Sequence, residues 1–208
     1  MNNPYEISDR AGKLLNRKAV RRFEAARRKC TIAGFDELTI IKTVKALYKE
    51  LDADNRKAFL DLAVMVYEDT DPHGELEDEE DELMGLWLMS EVLDKPNPVT
   101  GYTYTHEVER KRDRAIESIT AGTRKRQEFQ KALRYWSRQT TQYADIVTDE
   151  ARLKAFKDAG VKKVRWRTED DEKVCEVCGP RDGKVYDIDK VPPKPHWGCR
   201  CYLEAVKE

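Results

Sequence analysis

Long apolar runs are missing from this chain. None approaches the ~18–20 residues needed to span a bilayer, and the longest candidate, Leu83 to Leu88, is short and follows an acidic block. No charged-then-apolar leader opens the sequence, so the expectation is synthesis in a cytoplasm and no membrane partner. Also lacking are a net charge of one sign (the formal charge is −1), a Gly/Ser-rich linker and an internal repeat of fixed period. A near-zero net charge says nothing about partners. Apolar residues are scarce, at 39% against roughly 45–50% in an average globular chain. Charged residues reach 38% against about 25%. That balance argues against a single large buried core and for extended helices with wide solvated faces. The 208 residues leave room for one or two domains.

The charges that are present come in blocks. Arg10 to Lys29 carries nine bases and one acid, Glu24. Glu75 to Glu82 carries seven acids and no base, and Glu107 to Arg138 carries ten bases and five acids. Such blocks predict helices that dock on each other or on a large charged partner, or plain solvated helix faces.

The first two thirds read as helical. Leu14, Leu15, Ala19, Val20 and Phe23 follow one face of a helix over Arg10–Cys30, with Ser8 placed to cap it and Gly34 to break it. Phe35–Leu51 repeats the pattern with Leu38, Ile41, Val44, Leu47 and Tyr48. Asp52 and Asp54 predict a turn before a third helix, Asn55–Tyr67. Short polar breaks of this kind argue for antiparallel neighbours. An acidic loop over Asp69–Asp81 then leads to a short apolar helix around Trp87. A proline-rich break at Lys95–Gly101 precedes a long helical stretch, Thr105–Ser137, interrupted near Gly122. One more helix, Gln142–Gly160, ends on a glycine suited to a C-terminal cap. The expected architecture is mainly α: an antiparallel helical region, 1–139, and a small α+β C-terminal domain, 140–208.

The texture changes after Gly160. Val164 and Trp166 alternate with Lys163, Arg165 and Arg167, which reads as a strand. Beyond it comes Cys175-Glu-Val-Cys178, then 17 residues, then His196-Trp-Gly-Cys199-Arg-Cys201, so four of the five cysteines lie within 27 residues. Zinc takes about four nitrogen or sulfur ligands in a tetrahedron. A C-x2-C turn offers two thiolates on one side, and a second pair closes the other. Cys175, Cys178, His196, Cys199 and Cys201 are therefore five candidates for four places. Gly198 would allow close backbone approach, while Pro192, Pro193 and Pro195 stiffen the chain ahead of it. The alternatives are a redox pair or inert buried thiols. A redox C-x-x-C opens a helix, whereas Cys178 runs into Gly179-Pro-Arg-Asp-Gly183, which is turn chemistry. With five ligands available the closed, structural form of a Zn(2+) site is favoured. The 68 residues after Thr140 are few enough that such an ion would stabilise folding directly.

The ordered set Val164-Arg-Trp166, Cys175-Glu-Val-Cys178, Asp182-Gly183 followed by Tyr186, Pro192-Pro193 and His196-Trp-Gly-Cys199-Arg200-Cys201 resembles the phage Mu F-like minor head protein family over about residues 140–206. One departure is the Trp-Gly after His196, where members often carry Pro-Asn. The resemblance implies a structural role in phage head morphogenesis. Its partners would be the portal protein or the major capsid protein, with packaged DNA a further possibility. Its place would be the virion, after assembly in the host cytoplasm. The resemblance implies no enzyme, and the residues agree: there is no nucleophile beside a base, no carboxylate pair at helical spacing and no phosphate loop. A zinc-ribbon nucleic-acid binder is the competing reading, although acids are mixed into the basic helices and aromatic stacking rows are absent. A metal-dependent hydrolase would have to use His196, Glu169 and Asp170. His73 and His106 sit alone in polar surroundings and read as surface residues.

Overall fold

The protein is described by a computed structural model that covers residues 5–70, 78–97, 99–169, 174–196 and 198–206. Among the described residues five α-helices are followed by a small sheet. They are α1 (Tyr5–Ile32), α2 (Glu37–Thr70), α3 (Asp78–Trp87), α4 (Tyr104–Ala121) and α5 (Lys125–Asp158). The strands are β1 (Lys163–Arg167), β2 (Val185–Asp187) and β3 (Tyr202–Ala205). Among the described residues no helix is long and apolar enough to cross a membrane.

The apolar stripe of α1 is Leu15, Ala19, Phe23, Ala26 and Cys30, one residue per turn. Leu14 and Val20, expected on the same face, point outward at 53% and 40% exposure. Ser8 does not cap α1. It lies inside the helix, buried, and its hydroxyl bonds the Asp145 carboxylate at 3.2 Å. The helix ends as expected at Gly34, where Phe35 N–H returns to the Cys30 carbonyl and Gly34 N–H to Thr31. This double bond pattern requires a left-handed residue, and Gly34 takes a φ of 63°. Asp36 then caps α2 by accepting from Thr39 N–H.

The turn expected at Asp52–Asp54 is not there, and α2 runs unbroken through it. Each polar residue that signalled a break is used sideways. Asp52 pairs with Arg56 one turn on, Asp54 pairs with Arg22 of α1, and buried Asn55 donates to Thr140 Oγ1 of α5 at 3.0 Å. Asn55 is thus the polar member of a stripe that continues from Leu51 to Phe59. The polar stretch around Gln139–Thr141 behaves likewise, so the two helices expected on either side of it are one, α5. The position proposed as the domain boundary, 139/140, falls inside this helix. Of the expected acidic loop, Asp69 and Thr70 finish α2, Asp78 begins α3, and 71–77, with His73, lie outside the described residues.

Contacts between helices fix their directions. Phe23 meets Tyr48 and Arg22 meets Asp54, so α1 and α2 are antiparallel. Tyr5, Ser8 and Gly12 face Asp149, Asp145 and Thr141, so α1 is antiparallel to α5. Tyr48, Asn55, Phe59 and Tyr67 meet Trp136, Thr140, Tyr143 and Asp158, which makes α2 and α5 parallel. The return between them is made by α3 with a π-helical segment, Leu88–Leu93, and then by α4, whose Tyr104 meets Phe59 of α2. Met84, Leu88, Val92 and Leu93 are buried there.

One continuous core, from Leu15 to Ala155, joins all five helices and the π-helical segment. The expectation of no single large core fails because the charges sit on outer faces, leaving narrow inner stripes that carry bulky groups. Trp136, Tyr48, Tyr104 and Tyr143 are all under 2% exposed, and their rings meet edge to face.

Gly160 closes α5 with a φ of 74°, Val161 N–H returning to the Phe156 carbonyl and Gly160 N–H to Lys157. The sheet follows with β1 in the centre, antiparallel to both β2 and β3. Val164 pairs with Tyr186 and Ala205, and Trp166 with Leu203. The predicted alternation holds: Val164 and Trp166 are buried, Lys163 and Arg165 exposed. Val164 and Ile188 form a second core with Phe156, which seats the sheet on the end of α5.

A polar clasp fastens the C-terminal module to α1. The Tyr5 hydroxyl lies 2.6 Å from Asp149 Oδ1 and 2.8 Å from the Cys201 carbonyl. Lys194 donates to that hydroxyl and to the Cys199 carbonyl, and pairs with Asp149. Burial, reinforced by Asp149, raises Tyr5 well above its ordinary value, so it stays a donor. Burial and the neighbouring Asp149 charge likewise raise Asp145 to about 6, so α5 does carry a carboxylate pair at four-residue spacing, which the sequence reading did not expect.

Two outcomes are expected. At Gly122 an added Cβ would lie 2.6 Å from the Ser118 carbonyl oxygen. Gly122→Ala should therefore lower stability by about 1–3 kcal/mol in urea unfolding, and an unchanged midpoint would show that the α4–α5 turn relaxes freely. The raised Asp145 binds its proton more tightly folded than unfolded, so its ionisation weakens the fold as pH rises through 4 to 6. Asp145→Asn should raise the melting temperature at pH 7.5 and change it little at pH 4. An equal shift at both would refute the assignment.

Candidate metal centre

The site is built on two short turns held against β1. In the first, Cys178 N–H and Gly179 N–H both return to the Cys175 carbonyl, and Cys178 N–H also approaches Cys175 Sγ at 3.3 Å. This folds the C-x2-C into a knuckle with both sulfurs on one side. A 3-10 turn, Gly179–Arg181, follows, and Gly183 at φ 74° reverses the chain into β2. Asp182 accepts from Thr168 N–H at 2.8 Å, tying that turn to the end of β1. In the second turn, Gly198 takes a φ of 71° with no atom within 4 Å of the position of a Cβ. The expected close approach is absent there, and the left-handed backbone is what favours glycine.

The two turns bring all five predicted residues together in two triads that share Cys178. Cys175, Cys178 and His196 form one and Cys178, Cys199 and Cys201 the other, with ligand atoms in each triad within 4.8 Å of one another. Cys178, Cys199 and Cys201 are buried, Cys175 is half-buried, and His196 is exposed. The sulfurs of Cys178 and Cys199 are 3.5 Å apart. That is far beyond the ~2.05 Å of a disulfide and close to the roughly 3.8 Å edge of a tetrahedron with metal–sulfur bonds of about 2.3 Å. All five cysteines are free thiols, Cys30 lying apart in the helical core.

Around the sulfurs the packing is apolar and specific. Trp166 lies against Cys178, Cys199 and Cys201, with Val174, Tyr186, Val191 and Leu203 beside them. Arg181 covers the Trp166 ring at 5.1 Å and donates to the Pro193 carbonyl at 3.0 Å, so it holds the first knuckle to the proline-rich approach to the second. A cavity of about 290 Å³ between α5 and the module reaches His196, Cys199 and Cys201.

Electrostatics follow from crowding weakly acidic thiols in a small space. Burial pushes Cys178 up, and its hydrogen bonds to Cys175, Cys199 and Cys201 add to this. Cys201 is pushed up to about 11 by burial and then by the Cys199 charge. Burial also opposes ionisation of Cys175, but hydrogen bonds from Cys178, His196 and the Val177 backbone outweigh it and bring the thiol down to about 7. A bound divalent cation would reverse the penalty on the buried pair by supplying the missing positive charge. Soft sulfur donors and one imidazole, gathered in two triads, form a set that could hold such an ion.

Sequence reasoning named every member of this cluster but missed its supports. Tyr5 and Lys194, which bond the carbonyls of Cys201 and Cys199, carry no local signal that links them to cysteines. Of the residues weighed for hydrolysis, only His196 joins the cluster. Glu169 does not line the adjoining cavity, and Asp170 lies outside the described residues. His106 stacks on Tyr102 at the start of α4, away from the sulfurs.

No curated protein and no solved structure matches the chain. A family model does: the one described as Phage Mu protein F like protein matches residues 110–204. That span runs from α4 through α5 and includes the whole Cys/His cluster. Over this segment, slightly under half of the 208 residues, the chain is similar to the phage Mu F-like family.

Proposed function

We propose that this protein is a minor head component of a tailed phage, acting by binding during head morphogenesis and not by catalysis. The observation that carries the reading is the family match over residues 110–204. The structure supports it in a second way, because the most chemically distinctive residues form a buried, apolar-backed cluster suited to holding a fold together. The helical region would supply the contact surfaces, and the portal or major capsid protein the partner. Its place would be the virion, at the portal vertex or the capsid interior.

Within that role the cluster would hold one structural zinc ion. Four of Cys175, Cys178, His196, Cys199 and Cys201 would serve as ligands, with Cys178 in every set because both triads contain it. The ion would lock the two turns against Trp166, and through Lys194 and Tyr5 would keep the module seated on α1 and α5. Residues 140–208 would form the proposed C-terminal unit, but its α5 part is held by the helical core, so the part whose fold depends on the metal would be the sheet and the two turns beyond Gly160.

Elemental analysis of the purified chain should find about one zinc per molecule. Cys178→Ser should abolish binding and disorder the C-terminal amide signals, while α1 and α2 keep theirs. A well-folded metal-free protein would reject the zinc assignment. The assembly role has its own test: mass spectrometry of purified heads made by the phage or prophage encoding this chain should detect it. Its absence from mature heads and procapsids alike would reject that role whatever the metal content.

A further inference from the structure

The basic block Glu107–Arg138 folds into a hairpin of α4 and the first half of α5, and a cleft of about 330 Å³ opens between them. Arg110, Lys111, Arg114 and Lys131 line it, with Glu107, Glu128, Tyr135 and Ser118. Intermixed acids argued against phosphate binding in the linear sequence. In the fold the two acids that line the cleft are already engaged. Glu107 is buried and accepts from Thr100 and Lys111, while Glu128 accepts from Lys131 at 2.8 Å.

The guanidiniums of Arg110 and Arg114 are left over. Among the described residues neither is paired with a carboxylate. Arg110 is held in place by the Tyr102 ring, 4.3 Å beneath it, and Tyr102 is itself stacked on His106. A pre-positioned guanidinium loses little freedom when it binds. The positive field is also concentrated: burial lowers Lys111, and although Glu107 opposes this, Arg110 and Arg138 lower it further.

We propose that this cleft is an oxyanion site that takes a phosphate group, with the Arg110 and Arg114 forks as its donors. Two forks suit a tetrahedral oxyanion, which can accept two hydrogen bonds from each. The ligand is a phosphate monoester or free phosphate, or one phosphodiester of a nucleic-acid backbone running along the hairpin. The site is independent of the sulfur cluster and of the proposed role in heads.

The test uses the full chain in three forms: the parent, Arg110→Gln/Arg114→Gln, and an Arg126→Gln control outside the cleft. Circular dichroism checks that each is folded, which is expected because all three arginines are exposed. Titration with inorganic phosphate, followed by amide shifts, should place binding on α4 and α5. The double variant should lose about tenfold or more in affinity, and the control should stay within about twofold. Fluorescence anisotropy with a labelled DNA duplex then separates the sources. DNA binding that phosphate competes away, and that the double variant loses, assigns the site to a nucleic-acid backbone. DNA binding absent or indifferent to the variant, with phosphate binding lost, assigns it to a small phosphate ligand. No phosphate binding by the parent, or equal binding by the double variant, overturns the site.

Discussion

The helix α5 is the member on which the other elements are registered. Over 34 residues it presents Phe129, Ala132 and Trp136 to α4 and α2, Tyr143, Ala144 and Val147 to the centre of the bundle, and Ala155 and Phe156 to the base of the sheet. A straight α-helix of that length spans about 50 Å, so one rod fixes both the position of the helical core and that of the Cys/His cluster. Its polar buried residues do the aligning. Thr140 receives Asn55 from α2, and Asp145 and Asp149 receive Ser8 and Tyr5 from α1. Arg152 donates to the Leu203 carbonyl on β3, at 3.1 Å. Apolar packing would permit a helix to slide by a turn at small cost. These specific pairs would not, since each would leave a buried polar group unsatisfied.

What was legible in the sequence follows from range. Residues that act within one turn of each other declared themselves: the strand alternation around Trp166, the glycines that end α1 and α5, and the C-x2-C and H-x2-C-x-C spacings. The helix stripes were right in their main members and wrong at Leu14, Val20 and Leu38, which share the helical period with the core yet lie at its margin. Polar residues were misread where their partners lie far along the chain. Asp54 and Asn55 look like a turn until Arg22 and Thr140 arrive beside them, separated by 32 and 85 residues. The clasp around Tyr5 was hidden for the same reason, and so was the basic cleft, which exists only because the turn at Gly122 folds two segments of one charge block together.

The charge pattern resolves into three uses. Some acids and bases link helices, as Arg22 does with Glu50 and Asp54. Others brace single helices at four-residue spacing, as in the Lys95–Glu91 and Lys154–Asp158 pairs, each of which contributes only a few tenths of a kcal/mol. A third group, Arg110 and Arg114, is paired with no carboxylate among the described residues. A chain with a net charge near zero can therefore still present a local field of one sign, provided its opposite charges are occupied elsewhere.

The bond from Tyr5 to the Cys201 carbonyl joins residues 196 apart. During synthesis the first helix is complete long before its last partner has left the ribosome, so this contact can close only when nearly the whole intervening chain is present. Helices whose contacts are mostly to near neighbours can form early, whereas the junction between α1 and the second turn is necessarily among the final steps. Until then the face of α1 around Tyr5 and Ser8 stays open to water. The molecule thus has a built-in order of completion, with the segment around Cys201 acting as the latch for α1.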